Sequence, residues 1–392
     1  MPTLDVACSE PARRLPQDDL AVPTCFSLGI MAWNEENAIG TALASLLSQS
    51  IFAMLAARGE RAEIVVLPNG CTDRTADVAR ETIERLREDH PYPDAFTARV
   101  CELEQPGRNN AWNRFVHEFS AKESRAIFMM DADIVFHGAD SLRSMLVTLE
   151  DDREAMVVTD RALKEIEFKP VKSLRDRVSL AISAMNGTSQ GWFTGQLYGM
   201  RAHIARNLYL PRDFGAPDDG FFKQVICTDF LTRPQNLRRV ARAPEAAHIF
   251  EAYTSVADVL KNQQRQMIGQ TIVHVLLEHL KTRPHAERVN LAATLRRAEA
   301  RDPDWLKKLL GRHLAQTRFF WDLFPGLLSF RLQRWWKLGA WERVKYFPVA
   351  LIGTVVTAIC GWRAWRFLRS GHTHFWPKAT RGALLQSGAA AR

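Results

Sequence analysis

Four short apolar runs, each ending in a polar turn, constrain this chain more than any other feature of it. They lie at 26–32 (FSLGIMA), 63–67 (EIVVL), 98–103 (ARVCEL) and 127–130 (IFMM). An apolar run of this length bounded by turn residues reads as a buried strand. After the first, Trp33-Asn34-Glu35-Glu36-Asn37 leads into Ile39, Leu43, Leu46 and Leu47 at helical spacing. Asn34 is expected as the N-cap of that helix, with Glu35 and Glu36 in its first turn. The second run stops at Pro68-Asn69-Gly70-Cys71-Thr72-Asp73 before a helix over about 74–87. The third breaks at Gln105-Pro106-Gly107-Arg108-Asn109-Asn110 before another helix. This β-α-β-α-β-α-β order predicts an α/β fold with a mainly parallel sheet, whose ligands sit at the carboxyl ends of the strands. In such a sheet Glu35, Asn69, Arg108 and the pair Asp131 and Asp133 converge on one crevice.

The fourth run carries the strongest chemical signal, because it passes directly into Asp131-Ala132-Asp133. Two carboxylates at a strand end are costly to bury unpaired. A divalent cation with a phosphate ligand answers that problem, since Mg²⁺ and Mn²⁺ take oxygen ligands and accept substrate oxygens in their shell. By itself Asp-x-Asp also fits a solvated surface turn, so its meaning rests on the blocks around it.

At 392 residues the chain is long enough for a full core and for more than one compact unit. The six cysteines are scattered, with no Cys-x-x-Cys pair, which argues against a disulfide framework or a structural zinc site and fits a reducing compartment. Residues 1–23 are polar and proline-bearing, expected as a flexible leader and not a secretory signal. The charge is uneven. Residues 331–392 hold eleven Lys/Arg against one acid, Glu342, a net +10, which leaves −2 for residues 1–330 of a chain total of +8.

The pieces FSLGIMAWNEENAIGTALASLLSQ, EIVVLPNGCTDRTADVAR, EQPGRNNAWNR and FMMDADIVF, in that order, resemble the successive blocks of a family 2 glycosyltransferase of GT-A fold. Further on, Gly195-Gln196-Leu197-Tyr198-Gly199-Met200-Arg201 and Pro217-Asp218-Asp219-Gly220 resemble that family's acceptor-side blocks. The resemblance covers about 26–270 and implies inverting transfer of a sugar from a nucleotide donor, with Mn²⁺ or Mg²⁺. It implies Asp133 as the direct metal ligand and Asp131 at the ribose or the metal's waters. His248 is a candidate third ligand, although a lone histidine is commonly structural. Inversion requires a base for the acceptor hydroxyl; the resemblance places Asp219 in that role with Asp218 beside it, and a plain acidic helix start also explains the pair. Asn34, Glu35, Asn69, Asp73 and Arg108 are the donor-side candidates. Pro68 stands where the family carries a carboxylate, which puts the contact to the base in doubt. Arg265 matches the family's Gln-x-x-Arg-Trp only in its arginine, since Asn262 and Gln266 replace the flanking residues; it is a candidate diphosphate clamp, and the departure lowers the expectation of processive synthesis.

The expected organisation is a leader at 1–23, a GT-A catalytic domain at 24–270, a helical extension at 271–330 and basic, Trp-rich, membrane-associated helices at 331–392. From about residue 319 onward Trp321, Trp335, Trp336, Trp341, Trp362, Trp365 and Trp376 alternate with arginines and lysines, and residues 346–362 carry no charge. Pro348, Gly353 and Gly361 weaken that stretch as a spanning helix, so attachment at the headgroup layer is expected, with a re-entrant or single span as alternatives. The sequence thus points to the cytoplasmic face of a cell membrane, a nucleotide-sugar donor and a glycan or lipid-linked acceptor. No nucleic-acid module is visible, and oligomerisation stays open. Two other functions remain compatible: a nucleotidyltransferase on the same sheet, and a non-catalytic, membrane-associated glycan-binding or scaffold protein.

Overall fold

The structure, a computed structural model, describes residues 22–173, 176–177, 179–180, 191, 193–252, 255–336 and 339–375. Most of the expected leader, the last residues 376–392 with Trp376, and Tyr253 and Thr254 lie outside them. The chain divides into two compact units: Met1–Leu210 with Phe222–Ala252 and Gly382–Arg392, and Pro211–Phe221 with Tyr253–Arg381.

The first unit is built on one eight-stranded sheet. Its strands are β1 (Thr24–Ala32), β2 (Arg61–Pro68), β3 (Phe96–Val100), β4 (Ala126–Asp131), β5 (Ile134–Phe136), β6 (Val157–Lys164), β7 (Leu197–Arg201) and β8 (Val240–Phe250), in the order β3-β2-β1-β4-β7-β6-β8-β5. The expected parallel half is there: β1 pairs parallel with β2 and β4, and β2 with β3. β7 lies antiparallel to β4 and β6, and β5 antiparallel to β8, which makes the whole sheet mixed. Every residue of β1 is buried, as the central strand of a sheet covered on both faces should be.

Helices α1 (Ile39–Leu47), α2 (Ile51–Arg58), α3 (Thr75–Glu88), α4 (Arg108–Arg114) and α5 (Ser141–Asp151) flank the strands. Ile39, Leu43, Leu46, Ile51, Phe52, Leu142 and Met145 join Phe26, Leu28, Ile30 and Phe128 in one apolar core. Two local expectations shift. The third strand occupies Phe96–Val100; beyond it the Cys101 and Leu103 amides donate to the carbonyls of Val66 and Pro68 (2.8 Å each), and Leu103 forms an isolated parallel bridge with Asn69. Helix α1 starts at Ile39 with Ala38 in the capping position, so Asn34 is not its N-cap. Asn34 adopts a left-handed φ of 56° and turns its side chain elsewhere. Cys25, Cys71, Cys227 and Cys360 are free, whereas Cys101 is disulfide-bonded, a bond the scattered spacing did not foretell.

After the short helix α6 (Ala202–Arg206), helix α7 (Asp218–Cys227) has its first turn in the second unit and its remainder in the first. The second unit is otherwise helical: α8 (Val256–Lys281), α9 (His285–Val289), α10 (Leu291–Arg301), α11 (Trp305–Gln316), α12 (Ser329–Trp336) and α13 (Ala340–Arg369). Ser255 caps α8, its hydroxyl accepting from the Asp258 amide at 3.0 Å. This helix runs through residue 270 without interruption. Helix α13 likewise continues through Pro348, Gly353 and Gly361. At Gly361 a side chain would meet Phe320 at 3.0 Å and Leu327 at 3.2 Å, so the glycine there serves close packing and does not break the helix. Among the described residues no single helix is long and apolar enough to cross a membrane.

Candidate active site

The order β3-β2-β1-β4 reverses direction between β1 and β4, and the crevice outside such a switch point is where open α/β sheets bind ligands. Asp131 stands there, as the last residue of β4 and in register with Met31 near the end of β1. Its amide donates to the Gln196 carbonyl (2.8 Å), and the next amide, of Ala132, donates to the Met31 carbonyl (3.2 Å). The turn that carries Asp133 is thereby held from both sides, and Asp133 is partly exposed within it.

The Asp131 carboxylate is paired with the Arg108 guanidinium, whose other nitrogen donates to the Gly195 carbonyl at 2.5 Å. Arg108 is the first residue of α4, not a loop residue, because Gly107 turns the chain with φ 138° immediately before it. A guanidinium at this crevice is suited to phosphate oxygens, which it binds in the same forked geometry as a carboxylate.

The turns after β1 and β2 are tied to each other by their polar side chains. Asn34 accepts from the Thr72 amide (2.8 Å). Asn69, 4% exposed, donates to the Ala32 carbonyl (2.7 Å) and accepts from the Gly107 amide (3.0 Å), bridging the ends of three strands. Gly70, at φ 62°, lies where a side chain would strike Pro106 at 2.5 Å, so the turn closes only with glycine. Glu35 is buried, and its amide donates to Thr75 Oγ1 (2.7 Å). Burial raises the Asp73 carboxyl, yet hydrogen bonds from the Thr75 hydroxyl and amide and from the Glu36 amide outweigh it and hold the group below its usual range. Asn34, Asn69 and Asp73, singled out as donor contacts, therefore build the cradle with their side chains.

His248 lies on β8, fully buried beside fully buried Asp160. Its Nδ1 stands 2.7 Å from Asp160 Oδ2, and its Nε2 faces Gln196 Oε1 at 3.3 Å. The carboxylate can only accept, so Nδ1 carries the proton. Among the described residues no three His, Cys, Asp or Glu side chains form a metal-sized group. The two aspartates fit a hard divalent ion that fills the rest of its shell with phosphate and water. The sequence reading missed Asp160 and gave Gln196 no role, because their partner His248 lies 88 and 52 positions away.

The remaining candidates belong to the second unit. Asp218 is buried and Asp219 partly exposed at the start of α7, where Asp219 Oδ1 accepts from the Gly220 amide at 2.6 Å. Arg265, on α8, donates to Asn262 Oδ1 at 3.1 Å.

Residues 27–202 match the family model described as Glycosyl transferase family 2. The curled, mostly parallel sheet with flanking helices is accordingly GT-A-like. No curated protein matches the chain. Among solved structures, the Pyrobaculum calidifontis mannosyltransferase PcManGT in complex with GDP-Man and Mn²⁺ is 16% identical, with a TM-score of 0.48 over 86% of this chain and 88% of that one. S. aureus TarS 1-349 in complex with UDP-GlcNAc is 14% identical, TM-score 0.43, over 91% and 98%. Glucosyl-3-phosphoglycerate synthase from Mycobacterium tuberculosis, with Mg²⁺ and uridine-diphosphate, is 16% identical, TM-score 0.39, over 67% and 81%.

Proposed function

We propose that this protein transfers a sugar from a nucleotide-sugar donor to a hydroxyl acceptor with inversion, the acceptor being a lipid-linked or cell-surface glycan intermediate. The observation that carries the reading is Asp131 at the β1/β4 switch point with the Arg108 guanidinium on it, inside the segment that matches the family. A divalent ion held by Asp133, with Asp131 at its waters or at the ribose, would supply neutralisation of the charge that develops on the leaving diphosphate. Arg108 contributes a fixed positive charge at the same crevice and exchanges its carboxylate partner for phosphate when donor enters. Arg265 is a second candidate for the diphosphate. The tied turns of Asn34, Asn69, Asp73 and buried Glu35 give the nucleoside side of the crevice its shape before the donor arrives. Asp219 accepts the proton of the attacking hydroxyl, and the negative charge of adjacent Asp218 favours that transfer.

The test is a thermal-shift panel of UDP, GDP, CDP and their sugars, each with and without Mn²⁺ or Mg²⁺, on wild type and Asp133→Ala. A ligand at 100 times its Kd stabilises by about 2.7 kcal/mol. The reading expects one diphosphate series to stabilise the wild type only with metal, and Asp133→Ala to lose that effect. Stabilisation by nucleoside triphosphates alone would point to nucleotidyl transfer, and no response from a folded protein would leave a scaffold.

A further inference from the structure

One side of α13 is packed and the other is bare. Cys360, Gly361, Ala364 and Leu368 are buried, and Cys360 Sγ approaches the Leu260 carbonyl of α8 at 3.6 Å, so this side is committed to the helical unit. Around the opposite side Trp341, Val344, Phe347, Leu351, Ile352, Val355, Ile359 and Trp362 are all exposed, Trp341 by 80%, Val344 by 70% and Ile352 by 64%. Apart from the adjacent pair Leu351 and Ile352 they recur every three or four residues, so they form one stripe along the helix, about 30 Å long at 1.5 Å per residue. A contiguous apolar surface of this size marks an interaction site.

The ends of the stripe indicate its partner. At its carboxyl end Arg363, Arg366 and Arg369 are exposed in succession, with Arg366 5.0 Å from the Trp362 ring and Arg369 4.7 Å from the Trp365 ring. Toward its start Arg343 lies 5.0 Å from the ring of Trp336, itself exposed. Indoles stacked with guanidiniums at the margins of an apolar helix face match the headgroup boundary of a bilayer, where rings sit at the interface and arginines meet lipid phosphates. The packed side holds α13 to its own unit, and no described helix meets the requirements of a crossing. We infer that α13 is an in-plane anchor that lays the 341–362 stripe into the acyl boundary of an anionic bilayer, with Arg363, Arg366 and Arg369 on its phosphates.

The experiment is flotation of the full chain with vesicles of phosphatidylcholine alone or mixed with phosphatidylglycerol, read with the mass of the lipid-free protein by light scattering. The expected result is flotation with the anionic vesicles, weakened at high salt. Leu351→Ser/Ile352→Ser/Val355→Ser should lower partitioning on the order of 100-fold. Arg363→Gln/Arg366→Gln/Arg369→Gln should lower it by a similar factor and abolish the preference for anionic lipid. These side chains are exposed, so an unchanged melting temperature confirms that the variants fold. Three results overturn the inference: no flotation of wild type, a dimer that the serine variant converts to monomer while flotation is unaffected, or a serine variant that melts lower and floats as before. The last would show the stripe covered by another part of this chain. None of these readouts depends on sugar transfer, so the anchor stands or falls separately from the activity.

Discussion

Asn69 occupies a position at which a family 2 sequence invites a ligand contact, yet in the folded chain its amide is spent on the protein. Its Nδ2 donates to the Ala32 carbonyl at 2.7 Å, and its Oδ1 accepts from the Gly107 amide at 3.0 Å. In Asn69→Ala the Ala32 carbonyl keeps one partner, because the Asn69 main-chain amide also donates to it at 2.9 Å. The Gly107 amide loses the acceptor that faces it, half-buried at the entrance to α4. Each hydrogen bond is worth about 1 kcal/mol net, and an amide left without a partner costs about 1–3 kcal/mol. The expected loss is about 2–3 kcal/mol in the ligand-free protein. Asn69→Asp should be worse still, since it puts an anionic oxygen against the Ala32 carbonyl.

Two measurements check this. The first unit's melting temperature should fall by about 4–12 °C at about 2–4 °C per kcal/mol for a unit of this size. Hydrogen–deuterium exchange of peptides spanning 104–110 should quicken by about 30-fold or more in Asn69→Ala, because local opening then costs less. If Asn69→Ala costs under about 0.5 kcal/mol and leaves that protection intact, the staple reasoning is refuted. Donor binding lost from such an undisturbed variant would assign the side chain to the ligand.

Three further outcomes follow from buried or tied charges. Asp73 is held below its usual range, so its contribution is present above the unfolded value of about 3.9 and is lost as pH falls through the folded value; Asp73→Asn should lower stability at pH 7 and flatten the acid limb of the melting-temperature profile, and an unchanged profile would refute this. Glu165 is pushed up by burial against the pull of the Ala252 amide, so its contribution is present below the unfolded value of about 4.3 and is lost as pH rises through the folded value. Glu165→Gln should therefore remove that decline and melt higher than wild type at pH 7; a lower melting temperature across pH 4–8 would show the reverse sign. Asp160→Ala leaves the buried His248 Nδ1–H without an acceptor and should cost about 2–3 kcal/mol in urea unfolding, whereas a neutral effect would mean that water or Gln196 replaces it.

The parallel half of the sheet was legible because burial on both faces writes itself as unbroken apolar runs, and β1 is buried at every position. What was not legible is how polar turn residues divide between ligand and protein. Asn34 and Asn69 have the composition of binding residues, but their partners, Thr72 and Gly107, lie 38 positions away and share no local periodicity with them. The same limit hid Asp160, whose pairing with His248 spans 88 positions, and it misjudged Gly361, whose value is the closeness of Phe320.

The acid turn shows why the second half of the sheet matters to the first. The Asp131 amide donates to the Gln196 carbonyl and its carboxylate pairs with Arg108, which in turn donates to the Gly195 carbonyl. Gly195 and Gln196 directly precede β7, the strand that runs antiparallel to β4. The side chain of Gln196 meanwhile meets His248, whose orientation depends on Asp160 in β6. The position of the first acid is therefore set jointly by a parallel neighbour, β1, and by an antiparallel one, β7. Reversal of chain direction beside β4 is what brings carbonyl oxygens to a crevice that a purely parallel sheet would line with helix N-termini: that of Gln196 holds the Asp131 amide, and that of Gly195 holds the arginine paired with its carboxylate.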